Sequence, residues 1–304
     1  MIRKLNEYTT TIINNFNPWT NVYGLARSLM GLSLLITFLF NDVTIFFRPS
    51  SGQDTITNSG TISLFSLVPQ DYFYLSIVKW IFIFILVLVV IGWRPRFTCL
   101  LHFYIAYSLN AAGTTIDGGE QVNVVMALLL IPIALTDPRK WHWDTSYIPT
   151  NRTTSKIVSF VTYNFIRIQV AILYFHSTIA KLGNTEWVDG TAVYYYMQDT
   201  MLGLPSIFKS MANPILSSPL VVIPTWGTII LQTLLVCALF LPKKNWGKMF
   251  IFALLFHETI AIMLGLISFS TVMFGTLILY LRPLEQNYKF KFFTYKKNSL
   301  EVEV

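Results

Sequence analysis

Charge is scarce in this sequence. Only 12% of its 304 residues are Asp, Glu, Lys or Arg, against roughly 25% in soluble domains. With 54% hydrophobic residues, that shortage excludes a single large water-soluble core and predicts an all-α integral membrane protein. Cysteine is scarce too. Cys99 and Cys237 lie in or beside apolar runs, so they read as small buried hydrophobes, and no disulfide framework is expected. Four histidines offer no metal-ligand spacing. Phe256-His257-Glu258-Thr259-Ile260-Ala261 lacks the second histidine of His-Glu-x-x-His, and no bound metal is expected. Glycine-rich phosphate loops, a serine nucleophile elbow, internal repeats and low-complexity tracts are also missing. The first apolar run, 22–40, is too long for a signal-peptide core and has no small-residue cleavage site, so it reads as a retained span.

What the chain does have is a series of apolar runs of about the 20 residues that cross a bilayer. A polar lead-in, 1–21, carries Arg3 and Lys4 and ends on Asn17-Pro18-Trp19-Thr20-Asn21. About eight spans follow, near 22–40, 73–92, 97–112, 122–136, 157–181 and 220–241, with a tight pair between 249 and 281. The connection 41–72 is polar, Gly92-Trp93-Arg94-Pro95-Arg96 is a proline-fixed turn, and 110–121 is a polar link. The segment 182–219 reads as a long loop holding short interfacial helices, with Tyr194, Tyr195 and Tyr196. The last run breaks near Gly265 to Ser268. A charged tail, 282–304, is expected to be soluble. The chain thus divides into 1–21, one membrane domain 22–281, and 282–304.

Placing the N-terminus inside and alternating through eight spans puts sixteen of the 22 Lys and Arg on the inner side. Only Arg48 and Lys209 fall outside. That asymmetry is the positive-inside pattern, with both termini cytoplasmic. It accounts for the net charge of +7 through the lipid bilayer as partner, with no nucleic acid.

Ionisable residues inside spans are costly and mark candidate sites. On span five, Arg167, Ala171, Tyr174, Thr178 and Lys181 recur at spacings of four, three, four and three, one face of a helix. Arg167 counts to mid-membrane and Lys181 to the outer end. Lys181 reads either as a snorkelling anchor or as an amine lining an outward cavity, where it could serve as a general base. His257 and Glu258 on span seven also count to mid-membrane. An Arg167–Glu258 ion pair is the structural expectation for that depth. Arg27 in span one reads as snorkelling to the interface, or as bound to lipid headgroups or to a neighbouring loop.

Certain stretches resemble known proteins. Asn17-Pro18-Trp19-Thr20-Asn21-Val22-Tyr23-Gly24-Leu25-Ala26-Arg27-Ser28-Leu29 resembles the opening of the bacterial SdpB family of sporulation-delaying proteins. Tyr174-Phe175 through Lys181-Leu182, then Glu186-Trp187-Val188-Asp189-Gly190-Thr191-Ala192, resembles the wider HTTM family, whose superfamily includes the vitamin K-dependent gamma-glutamyl carboxylase. Phe256-His257, Gly265 and Phe269-Ser270-Thr271-Val272-Met273 resemble that family's later span. The likeness runs over about 17–281.

The carboxylase likeness implies that Lys181 is an active-site base on the outer side, and it brings a quinone as the cofactor to test. The SdpB likeness implies maturation of a secreted SdpC-like antimicrobial peptide toxin from its precursor, with a small SdpA-like partner encoded in the same operon. Together these readings give Lys181, His257 and Glu258 as the catalytic candidates, with Tyr174, His176, Arg167, Glu186, Trp187 and Asp189 as substrate-binding candidates. Two alternatives stand beside this reading: a quinone-linked, carboxylase-like enzyme modifying another peptide, and a non-enzymatic protein of toxin export or immunity.

Overall fold

The computed structural model describes residues 11–49, 60–147, 150–199 and 203–288. Among these the protein is helical, with one isolated bridge between Trp93 and Trp141. Eight long helices carry the fold: α1 (Asn21–Phe40), α2 (Tyr72–Val90), α3 (Pro95–Ala112), α4 (Gly118–Thr136), α5 (Thr153–Leu182), α6 (Val222–Cys237), α7 (Lys243–Leu264) and α8 (Ile267–Leu281). Six are long and apolar enough to cross a membrane: α1, α2, α4, α5, α7, and α6 with its flanking turns. Within α3, Arg96, His102 and Asn110 dilute the hydropathy. Helix α8 has only 15 residues, about 22 Å at ~1.5 Å per residue.

Helices α1 and α8 form the centre. Fourteen of the 20 residues of α1 are buried, and α8 is buried over most of its length. Their register is antiparallel. Thr20 bonds the carbonyl of Leu284, Gly275 lies against the carbonyl of Ala26, and Ser33 Oγ donates to the carbonyl of Ser268 at 2.9 Å. A methyl group at 275 would sit 2.7 Å from that Ala26 oxygen, so glycine is what lets the two backbones approach. Around this pair pack α2, α4, α5 and α7, with α3 on α4 and α6 on α5.

The outward faces are apolar. Phe73, Ile77, Trp80, Phe84 and Val87 are exposed at three- and four-residue spacings on α2, and Phe252, Leu255 and Ile262 on α7. Stripes of this size exceed what water-exposed surfaces ordinarily carry. The described parts of the connection, 41–49 and 60–72, hold more structure than their polar composition predicts. Short helices Val43–Phe46 and Leu64–Leu67 bring Phe46 and Phe65 down onto Phe38 and Phe82. Residues 50–59 of that connection lie outside the described ones. The turn after α2 holds Gly92 and Arg94 at positive φ before Pro95 starts α3.

The flanking segments are not separate from the bundle. Phe16 packs edge-on to Phe160 at 5.3 Å, Lys156 Nζ donates to the carbonyl of Asn14 at 2.7 Å, and Tyr163 Oη donates to the carbonyl of Arg282 at 3.1 Å. Asn21 exchanges two hydrogen bonds with the backbone of Tyr288. The expectation of a soluble tail is therefore corrected for 282–288, where Leu284 is fully buried. Residues 289–304 lie outside the described ones. These contacts also explain why α5 has 30 residues, about 45 Å. Its first turns rise past the neighbouring helix ends to meet the two flanking segments.

At the same end, the loop after α4 folds back on itself. Asp137 and Arg139 pair at 2.8 Å with both side chains fully buried. His142 then enters a slot between Gly24 and Gly92. There it meets Ser28 Oγ at 3.1 Å and Arg27 Nη1 at 3.4 Å, while Arg27 Nη2 donates to Thr98 at 2.6 Å. Arg27 is 1% exposed: of the three readings, the neighbouring loop holds it, and it neither snorkels nor reaches lipid headgroups.

Candidate functional site

Lys181 lies on the last turn of α5, where Gly183 ends the helix. Its half-buried ammonium donates to Ser177 Oγ at 2.9 Å and approaches the Ser177 carbonyl at 3.4 Å. Ser177 is one turn back on the same helix, so ordinary i, i+4 geometry makes the contact. Ser177 Oγ in turn donates to Gln232 Oε1 on α6 at 3.3 Å. Gln232 is buried, and a buried amide needs partners. The loop after α5 closes over the amine. Asn184 caps the short helix Thr185–Val188 through the backbone N–H of Glu186. That helix sets the Trp187 ring 5.1 Å from Lys181 Nζ, a cation–π distance.

Trp187 packs on Ala192 and Ile229, and Tyr196 meets its ring at 5.8 Å. Beyond this stack opens a cleft of about 360 Å³ lined by Asn184, Glu186, Ala192, Tyr195, Tyr196 and Asp199. Loop, amine and cleft thus form one layered unit at the end of α5. Asp189 accepts from the N–H and hydroxyl of Thr191 and stays exposed. It shapes the turn to the next short helix, Ala192–Gln198.

The remaining candidates are set apart from this unit. Tyr174 is two turns below Lys181, about 10 Å along the axis. Its buried hydroxyl meets His257 Nε2 at 2.9 Å. His257 packs against Phe269 at 5.5 Å, and its Nδ1 is buried with no hydrogen-bond partner among the described residues. Glu258 accepts from Ser270 on α8 at 3.0 Å. His176 is exposed, edge-on to Phe175.

Arg167 does not pair with Glu258, which corrects the expected ion pair. The guanidinium stacks on Trp246 at 4.3 Å and donates to the carbonyls of Tyr280 and Leu239 at 3.3 and 3.2 Å. Those carbonyls end α8 and the turn following α6. Tyr280 and Ser270, the levels of Arg167 and Glu258, are ten residues apart on α8, about 15 Å. Arg167 therefore sits level with the ends of α8 and α6, not midway along the bundle with Glu258. The negative ends of two helix dipoles take the place of a carboxylate.

Sequence reasoning missed Ser177 and Gln232. The signal for Ser177 was its place four residues before Lys181, and for Gln232 its lone amide in an apolar run. Among the described residues, no group of three His, Cys, Asp or Glu comes together to hold a metal.

No family model matches the chain, and no solved structure matches it. Two Bacillus subtilis (strain 168) proteins do. The uncharacterized protein YitO is 52% identical over 287 residues, covering 94% of this chain and 93% of YitO. Sporulation-delaying protein SdpB is 38% identical over 275 residues, covering 90% of this chain and 85% of SdpB. With that identity sustained across almost the whole of both proteins, this chain belongs to the SdpB family.

Proposed function

We propose that this protein is a multi-pass membrane protein that matures a secreted SdpC-like antimicrobial peptide, with Lys181 acting as a base on the outer face. Kinship with a sporulation-delaying protein supports a place in such a toxin pathway. In this reading all eight helices cross the cell membrane in an HTTM-like bundle, and both termini are cytoplasmic, as the charge count requires. The peptide precursor enters from the outer side across the cleft of Glu186, Tyr195 and Tyr196, and a small SdpA-like protein assists.

The observation that carries the chemical part is the layered unit of Ser177, Lys181 and Trp187. An amine held by a neutral hydroxyl and an indole face, beside a cleft, is placed to accept a proton from a substrate. General base catalysis of this kind contributes about 10²- to 10⁴-fold.

The test is the mass and killing activity of the secreted peptide from cells carrying Lys181→Ala or Lys181→Arg. Arginine keeps the charge and cannot act as a base. Both variants are expected to lower mature peptide by about 100-fold or more. Full yield of peptide with unchanged mass from both refutes the base and leaves a binding role in export or immunity.

A further inference from the structure

A second cleft, of about 350 Å³, lies at the other end of the bundle, between the start of α7 and the end of α8. We propose that it binds a phosphate-bearing anion, presented as the headgroup of an anionic lipid. Three cations line it: Lys243, Lys244 and Arg282. Lys243 already pairs with Glu285 at 2.8 Å, which leaves a local excess of positive charge. Arg282 stacks on Tyr288 at 3.9 Å, yet its Nε is buried with no hydrogen-bond partner among the described residues. A buried guanidinium donor without an acceptor is costly, and guanidinium and ammonium groups lining one cleft are suited to phosphate oxygens.

The same cleft is apolar on its other wall, where Phe250 and Leu281 line it. A free phosphate leaves that wall against water. A lipid covers it with the glycerol and the first methylenes of its chains. Lysines at the inner end of membrane helices, beside an apolar floor, are the setting in which anionic headgroups gain about 1 kcal/mol per cation. The site rests on the membrane placement above and is independent of Lys181, which sits at the opposite end of the bundle.

The test uses the full chain purified in detergent and native mass spectrometry. Phosphatidylglycerol and phosphatidylcholine with the same acyl chains are added, with and without millimolar inorganic phosphate. The wild type is expected to retain phosphatidylglycerol preferentially. Lys243→Gln with Lys244→Gln should weaken that retention roughly 25-fold, about fivefold per lysine, while Lys140→Gln on another exposed loop leaves it unchanged. Gly247 also lines the cleft, and a side chain there meets nothing within 4 Å. Gly247→Phe should therefore fill the cleft, keep every charge and the melting temperature, and abolish retention. Within a positive result, indifference to inorganic phosphate assigns the lipid headgroup as the source, and displacement by it assigns free phosphate. Equal retention of both lipids by the wild type overturns the proposal, as does undiminished phosphatidylglycerol binding by Gly247→Phe.

Discussion

Replacing Asp137 by Ala should be among the most damaging single changes in the protein. Asp137 Oδ1 accepts from the backbone N–H and Nε of Arg139 at 3.0 and 2.9 Å, and Oδ2 accepts from Nη2 at 2.8 Å. The remaining Nη1 donates to the Asp144 carbonyl at 2.8 Å. Both side chains are fully buried. Alanine leaves the guanidinium desolvated with most of its acceptors gone, a loss of about 3–5 kcal/mol. Against a total of about 5–15 kcal/mol, that is a large share. The damage spreads, because the pair folds the loop that carries His142 into its slot. Replacing both residues, Asp137→Leu with Arg139→Met, strands no charge. Its cost should fall well below the sum of the two single changes. The assay is a double-mutant cycle on unfolding free energy, measured on purified protein in mixed detergent–dodecyl sulfate micelles. Additive single changes, or an alanine variant within about 1 kcal/mol of wild type, would refute the argument that an unpaired buried charge sets the cost.

Three other outcomes follow from the same end of the bundle and from α6. Gly92 has φ +83° and its missing side chain is replaced by the His142 ring. Gly92→Ala should cost at least about 1–2 kcal/mol, whereas Gly227→Ala, which meets nothing within 4 Å, should gain about 0.5–1 kcal/mol; similar melting temperatures for the two would contradict this. Burial first, and then the charges of Arg27 and Arg139, hold His142 well below the ordinary histidine range, so it stays neutral in the folded protein. Below pH ~6.5 the unfolded chain takes up that proton and the folded one does not, so stability falls by about 1.4 kcal/mol per pH unit for this group. His142→Gln should show a shallower loss between pH 6.5 and 5, and an unchanged slope would sink the assignment. Arg167→Lys loses the stack on Trp246 and one of two carbonyl bonds, about 1–3 kcal/mol. Its effect should add to that of Glu258→Gln within about 0.5 kcal/mol, since a coupling larger than that would restore the ion pair.

The eight long helices were legible because apolar runs of span length, Gly265 and the Gly92–Pro95 turn are local signals. What was illegible was level. Depth was counted from where the apolar run of α5 begins, and α5 overshoots the bundle to meet Asn14, Phe16 and Arg282. Arg167 was therefore placed too deep, and Glu258 became its partner by arithmetic rather than by contact. The helical caps at Val43–Phe46 and Leu64–Leu67 were hidden because their few aromatic anchors sit in a polar segment, where periodicity has no room to show. The unit around Lys181 was half legible: the face carrying Tyr174, Thr178 and Lys181 follows from α5 alone, but which neighbour supplies Gln232 is a packing outcome.

A physical pattern explains where three cations without an acid partner went, whereas Arg139 pairs with Asp137. A chain with so few carboxylates cannot give each one an acid. Lys79 donates to the carbonyl of Asn41, which caps α1. Lys156 donates to the carbonyl of Asn14. Arg167 takes the ends of α8 and of the turn after α6. Backbone carbonyls left free at helix ends need donors in any case, and they carry partial negative charge. One cation thus serves two needs at once, which a surplus carboxylate in lipid would not. Lys181 departs from the pattern, as does Arg27, which His142 and Thr98 hold. Among the described residues the Lys181 ammonium meets Ser177 of its own helix and the face of Trp187, with no carboxylate and no other helix's end. Structural need therefore explains the position of Arg167, Lys79 and Lys156 and leaves that of Lys181 over, which is why the proposed chemistry is placed on Lys181 and not on Arg167.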